Sequence, residues 1–125
     1  MTRSTTAPTS LLRWLPAVAW MAAIFGFSSV HGSTIPSVLS AYAPVAHFAE
    51  YGVLALLLVF AAAGWRLSIS LALALLLACS LYGVTDEFHQ RFVPGRTPDP
   101  VDWATDTAGA GVAIGAIALL RARRG

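Results

Sequence analysis

Three short runs of the chain hold nearly all of its side chains able to move protons, hold anions or bind cations. The first is His47-Phe48-Ala49-Glu50-Tyr51. On a helix, His47 and Glu50 stand one turn apart and Tyr51 also lies beside His47. A carboxyl inside an apolar stretch must be hydrogen-bonded, paired or protonated. This run therefore reads either as a polar clamp between helices or as an acid/base group. The second run is Asp86-Glu87-Phe88-His89-Gln90, followed by Arg91. Adjacent carboxylates point about 100° apart on a helix, so at most one of Asp86 and Glu87 faces a neighbouring helix squarely. Gln90 shares the Asp86 face. Acids at a helix C-terminus meet the partial negative charge of the last carbonyls, and Arg91 and Arg96 are the cations at hand. The plainer reading is a solvated helix end with exposed ion pairs, each worth at most ~1 kcal/mol.

The third run extends from Asp99 through Asp102 to Asp106. Asp99 suits an N-cap, Pro100 the first helical position, and Asp102 the positive end of a helix. Asp106 lies seven residues beyond the cap, ~10 Å along the helix. Fourteen uncharged residues then separate it from Arg121. They make ~21 Å of helix, short of a ~30 Å hydrocarbon core. Asp106 is therefore expected within or just below the membrane interface, facing the bundle interior or a cavity. Asp102 shares its face, which aims both at one partner.

The elements that must position these runs are membrane helices. Hydrophobic residues make up 57% of the 125-residue chain and charged residues 11%, with a mean hydropathy of +0.69. Soluble domains carry about 25% charged residues, so a water-soluble domain is excluded. Disorder, which needs low hydrophobicity and high charge, is excluded as well. The eight basic residues are all arginine and are scattered, so the chain offers no nucleic-acid surface. Cys79 is the only cysteine, which excludes an internal disulfide and a cysteine-rich metal site.

A helix crosses a bilayer with roughly 20 mostly apolar residues. Four such stretches are present, at about 14–30, 45–65, 67–85 and 101–120. Residues 31–36 read as a loop, Arg66 and its neighbours as a tight turn, and Pro94-Gly95-Arg96-Thr97-Pro98 as a further turn. The predicted fold is an all-α polytopic membrane protein, a bundle of four transmembrane helices. A single domain over 11–120 follows a disordered tail at 1–10 and precedes a basic cytoplasmic tail at 121–125. The first stretch is read as a retained span, because it is longer than a signal-peptide core and no A-x-A site follows it. Gly111 and Gly115, with Ala104, Ala108, Gly109 and Ala110, form a small-residue face suited to close packing in lipid.

Arginine near a membrane favours the cytoplasmic side. With the N-terminus inside, Arg3, Arg13, Arg66, Arg121, Arg123 and Arg124 fall inside and only Arg91 and Arg96 outside. Both termini are then cytoplasmic. All six carboxylates and all three histidines fall at or near the outer face. The outer ends of the second, third and fourth helices are thus expected to converge on one polar cluster.

His47 and Tyr51, Asp86-Glu87 with Gln90, the Pro94-Gly95-Arg96 turn, and then Asp102, Asp106 and Gly109 together resemble the VanZ-like membrane proteins. Their order and spacing make the match, which covers about residues 11 to 120 and is most specific from Glu87 to Gly109. The resemblance implies a small multi-pass fold in the cell membrane. It also implies a link to the cell envelope and to glycopeptide resistance, since a teicoplanin-resistance accessory protein names the family.

Two functional readings follow. In the first, the cluster binds the head group of a lipid-linked or cell-envelope molecule and performs acid/base or hydrolytic chemistry on it. Arg96 and Arg91 hold a phosphate or carboxylate. One of Asp86, Glu87 and Asp106 is the base and His47 or Glu50 the acid, with Gln90 and Asp102 alongside. In the second, a non-catalytic ion-pair network locks the helix ends or binds lipid head groups. Outside, two arginines face six carboxylates, an excess that favours a ligand or ion site over a balanced clamp. No His-Glu-x-x-His, Gly-x-Ser-x-Gly or phosphate-binding Gly-Lys loop is present. No metal site or cofactor is therefore assigned, and a hard divalent ion held by carboxylates stays an alternative. The expected partners are membrane lipids and an envelope substrate, with oligomeric state left open.

Overall fold

The computed structural model describes residues 7–125, with side chains from Ser10 onward. It is helical throughout: α1 (Ala7–Leu12), α2 (Leu15–Ser28), α3 (Ser37–Ser40), α4 (Ala43–Ala63), α5 (Ile69–Gln90) and α6 (Pro100–Ala122), with a 3-10 turn at Gly32–Thr34. Four stretches, Ser10–Ser28, α4, α5 and α6, are long and apolar enough to cross a membrane, so the chain is a four-span membrane protein. Of the tail expected to be disordered, residues 1–6 lie outside the described residues, whereas the chain is helical from Ala7 to Leu12. At the other end α6 continues through Arg121 and Ala122, because nothing there breaks a helix before the final glycine.

Local signals set the helix boundaries. Ser68 Oγ accepts a hydrogen bond from the Leu71 amide at 3.1 Å and opens α5. Asp99 Oδ1 does the same for the Val101 amide at 2.9 Å, with Pro100 opening α6, the arrangement its sequence predicts. At the far end of α4, Gly64 takes up a left-handed conformation and stops the helix. The α5 helix runs to Gln90, so the second chemical run occupies its last turns.

The core is built around α4, which buries Tyr51, Leu54, Ala55, Leu58 and Val59 against residues of α2, α5 and α6. Its closest neighbour is α6. Gly109 of α6 lies directly against the Phe48 backbone, and a Cβ there would collide with the Phe48 carbonyl. Gly52 of α4 faces Gly109 in turn. These contacts fall in the first half of both helices, so α4 and α6 run side by side and parallel, and α5, which precedes α6 in the chain, packs beside them in the opposite direction. The expected small-residue pair makes no such approach: Gly115 has open space around it and Gly111 meets only the tip of Leu76. Polar bonds reinforce the apolar packing. Trp20 Nε1 donates to the Glu50 carbonyl at 2.8 Å, Tyr82 Oη to the Met21 carbonyl at 2.6 Å, and Trp103 Nε1 to the Ser80 carbonyl at 3.1 Å.

Candidate functional site

The end of the bundle where α2 and α5 finish and α4 and α6 begin is polar inside. His47, in the first turns of α4, points at α6. Its Nδ1 is 2.8 Å from Asp106 Oδ1, and its Nε2 is 3.7 Å from Asp102 Oδ2. One imidazole is thus set between two carboxylates one turn apart on α6, as their shared helix face requires. Asp106 is fully buried, and its second oxygen, Oδ2, has no hydrogen-bond partner among the described residues. Asp86 comes from α5 and is also buried. Ser28, from the last turn of α2, lies beside it, but its hydroxyl stops short of hydrogen-bond geometry. His47, Asp86 and Asp106 each bring one potential ligand atom within 4.8 Å of the others.

Of these groups His47, Asp86, Asp102 and Ser28 line a cleft of about 530 Å³, a volume in the range of small-molecule sites. The polar wall carries His47, Glu50, Asp86, Gln90 and Asp102. The rest of the lining is mixed: Ile24, Phe27 and Ser28 from α2, and Ile35, Ser37, Leu39 and Ser40 from the segment that follows it. That segment is held by backbone contact. Gly32 donates its amide to the Pro94 carbonyl at 3.0 Å, and Gly95, at φ 76°, sits so close to Gly32 that neither position has room for a side chain.

The predicted site residues do not all converge. His47, Asp102 and Asp106 form one contact group, and Glu50, Asp86 and Gln90 share the cleft with it. Glu87 turns away: its Oε2 accepts the Asp99 amide at 2.8 Å and so braces the start of α6. This is the divergence that adjacent helical positions impose. Arg91 is exposed, sits over the Phe88 ring at 5.8 Å, and faces a second, smaller cavity together with Glu87 and Trp103. Arg96 does line the cleft, yet its guanidinium donates to the Val30 carbonyl at 3.1 Å and the Phe27 carbonyl at 3.0 Å. It therefore ties the turn at Pro94–Pro98 to main-chain carbonyls at and just beyond the end of α2. Among the described residues no arginine lies within ion-pair distance of a carboxylate; the histidine contacts are the ion pairs observed.

Sequence reasoning missed two contributors to the cleft. Ser28 lies beside Asp86, and the segment from Ile35 to Leu39 adds Ile35, Ser37 and Leu39 to the lining; a loop of this kind is recognisable only once its backbone is anchored. His89 of α5, expected near the polar cluster, does not line the cleft: it stacks on Phe25 of α2 at 4.3 Å with its Nε2 2.9 Å from Ser29 Oγ.

A four-span membrane helix bundle with a buried histidine–carboxylate centre open to a half-apolar cleft is the class these features define. A family model described as VanZ/LLP1 matches residues 3–121, and the chain belongs to that family. No curated protein and no solved structure matches it.

Proposed function

We propose that this VanZ/LLP1 family member receives the polar head group of a membrane-borne molecule of the cell envelope in its cleft and acts on it by acid/base chemistry. The observation that carries the reading is the amphiphilic lining of the cleft. Ile24, Phe27, Ile35 and Leu39 offer apolar surface, and His47, Glu50, Asp86 and Asp102 line the same cleft. An amphiphile entering it matches both. A lock made of balanced ion pairs is disfavoured, since the carboxylates of the polar wall have no arginine within pairing distance. Intramembrane ionisable groups left in this way mark functional sites.

Within the reading, Asp106 fixes the His47 ring through Nδ1, leaving Nε2 on the side of Asp102 and the cleft. A histidine oriented by a carboxylate at one nitrogen is suited to exchange a proton at the other. Glu50 is the second group able to do so. The arginine distribution supports a cleft on the non-cytoplasmic side, with both termini cytoplasmic. Glycopeptide resistance rests on family resemblance alone and is no part of this reading.

The test is a head-group survey with the purified chain in detergent, measuring binding and turnover across envelope phospholipids and polyprenyl phosphates. One class is expected to bind selectively, and His47→Ala is expected to abolish turnover while the helices stay folded. A flat response across the panel, unchanged by His47→Ala, would overturn the proposal.

A further inference from the structure

We infer that His47, Asp86 and Asp106 form a binding site for a divalent transition-metal cation of the Mn2+ or Zn2+ kind, and that this cation is what allows the cleft to accept a phosphate-bearing head group. The two parts stand differently. The cation site rests on the side chains themselves, whereas its use in phosphate capture rests on the head-group reading above.

One potential ligand atom from each of the three residues lies within 4.8 Å of the others, and all three residues are buried. Imidazole together with carboxylates is a donor set that first-row divalent ions accept. An acidic cluster alone would not point to a ligand. Here a second observation does so. Asp106 is completely buried, and its Oδ2 has no hydrogen-bond partner among the described residues. That oxygen is directed across the bundle at α5, close enough to Gly83 that a Cβ there would stand 3.2 Å from it. Gly83 and Asp86 lie three residues apart on α5, on one face. Asp106 Oδ2 is therefore aimed at the helix surface that presents Asp86. The Tyr51 hydroxyl, likewise buried and without a partner, belongs to the α4 face that carries His47. An unpaired buried carboxylate oxygen is costly, and a cation removes that cost.

Electrostatics bear on the ligand class. Glu50, Asp86 and Asp102 line the cleft, Asp106 is buried against His47, and the one arginine lining the cleft is committed to the main-chain carbonyls of Phe27 and Val30. A bare phosphate would meet net negative charge there. A bound divalent ion reverses this locally, and such ions commonly keep open positions for phosphate oxygens and water. With His47 serving as a ligand, proton exchange at the head group falls to Glu50. The Glu50 carboxylate lines the cleft and has no hydrogen bond or ion pair among the described residues. Three ligands from three helices leave no local spacing motif, so the sequence pattern alone does not single out this site.

The experiment uses the full chain purified in detergent, stripped with a chelator and titrated with Mn2+, with free Mn2+ followed by electron paramagnetic resonance and Zn2+ added as a competitor. About one Mn2+ or Zn2+ per chain is expected, together with a raised melting temperature. Asp86→Asn and Asp106→Asn are each expected to weaken binding at least tenfold. Asp99→Asn, which keeps the α6 cap but removes a nearby charge, should stay within twofold of the parent chain. If Asp106→Asn does not fold, Asp86→Asn at the cleft surface carries the test. Absence of stoichiometric binding by either ion, or equal binding by the parent chain and Asp86→Asn, would overturn the site. A second arm measures polyprenyl phosphate binding with Mn2+ and with chelator. Lipid bound equally in both, with no ion bound, removes the cation and leaves the head-group reading standing. Ion bound with no lipid phosphate binding does the reverse.

Discussion

The two ends of this bundle are built from the same four spans and are held together in different ways. At the end where α4 and α6 begin, helices meet through polar side chains and bare backbone: His47 with Asp106, Glu87 with the Asp99 amide, and Gly109 against Phe48. At the opposite end the interior is aliphatic, with Leu58, Val59, Leu75 and Ile117 in the core. The charges there are arginines at its edges, such as Arg66, Arg121 and Arg123, all exposed. Arg13 reaches across from the start of α2 to lie against Gly64. One end thus follows the usual economy of membrane proteins, apolar within and cationic at the rim. The other departs from it at a cost in desolvation that packing alone does not require. The proposed function is placed at that departure, and the ordinary end supplies much of the apolar packing.

The sharpest way to break this contrast is at the backbone contact of the polar end. Gly109→Val forces a side chain into the Phe48 carbonyl and should destabilise the chain by about 3 kcal/mol, the upper range for overpacking. Gly115→Ala, toward the other end in open space, should stay within about 1 kcal/mol of neutral. Unfolding in mixed detergent measures both, and equal effects would erase the distinction.

Next in size is the buried pair. His47→Leu or Asp106→Leu alone leaves a partner buried and unpaired, at about 1–3 kcal/mol. The double substitution should cost less than the sum, with a coupling of about 1 kcal/mol. A double-mutant cycle that closes to zero would mean that the 2.8 Å contact contributes nothing to holding α4 to α6.

A smaller contrast separates the two arginines of the polar end. Arg96→Ala loses two hydrogen bonds to the end of α2 and should cost about 1–2 kcal/mol. Hydrogen exchange would show this as faster opening around Phe27 and Val30. Arg91→Ala removes an exposed contact over Phe88 and should change stability by about 0.5 kcal/mol or less.

Much of this was legible in the residues, and the pattern of successes and failures has a physical cause. Spans follow from length and apolarity, and the Asp99 cap from local chemistry. The shared face of Asp102 and Asp106 follows from helical geometry, and the structure places both on His47. Partners that lie in the main chain were not legible. Arg96 binds carbonyls 66 and 69 residues away, and no side-chain type signals a free carbonyl. Gly109 belonged to the expected small-residue face, but its role as the point of closest contact was not legible, for a related reason. In an apolar helix rich in small residues, periodicity does not tell which face meets a neighbour, so Gly111 and Gly115 looked equally suited to close packing. The divergence of Glu87 from Asp86 was foreseeable from their adjacency, but which of the two turns inward depends on where α6 begins.

In the proposed function the two ends face opposite sides of the membrane, with the cleft outward. Single cysteines placed by Ser37→Cys at the cleft rim and by Arg66→Cys at the other end, each with Cys79→Ser, can be probed in intact cells with a membrane-impermeant maleimide. Both positions are exposed. Labelling of the Ser37 position in intact cells, with the Arg66 position labelled only after permeabilisation, is the predicted result. The reverse pattern would contradict the account.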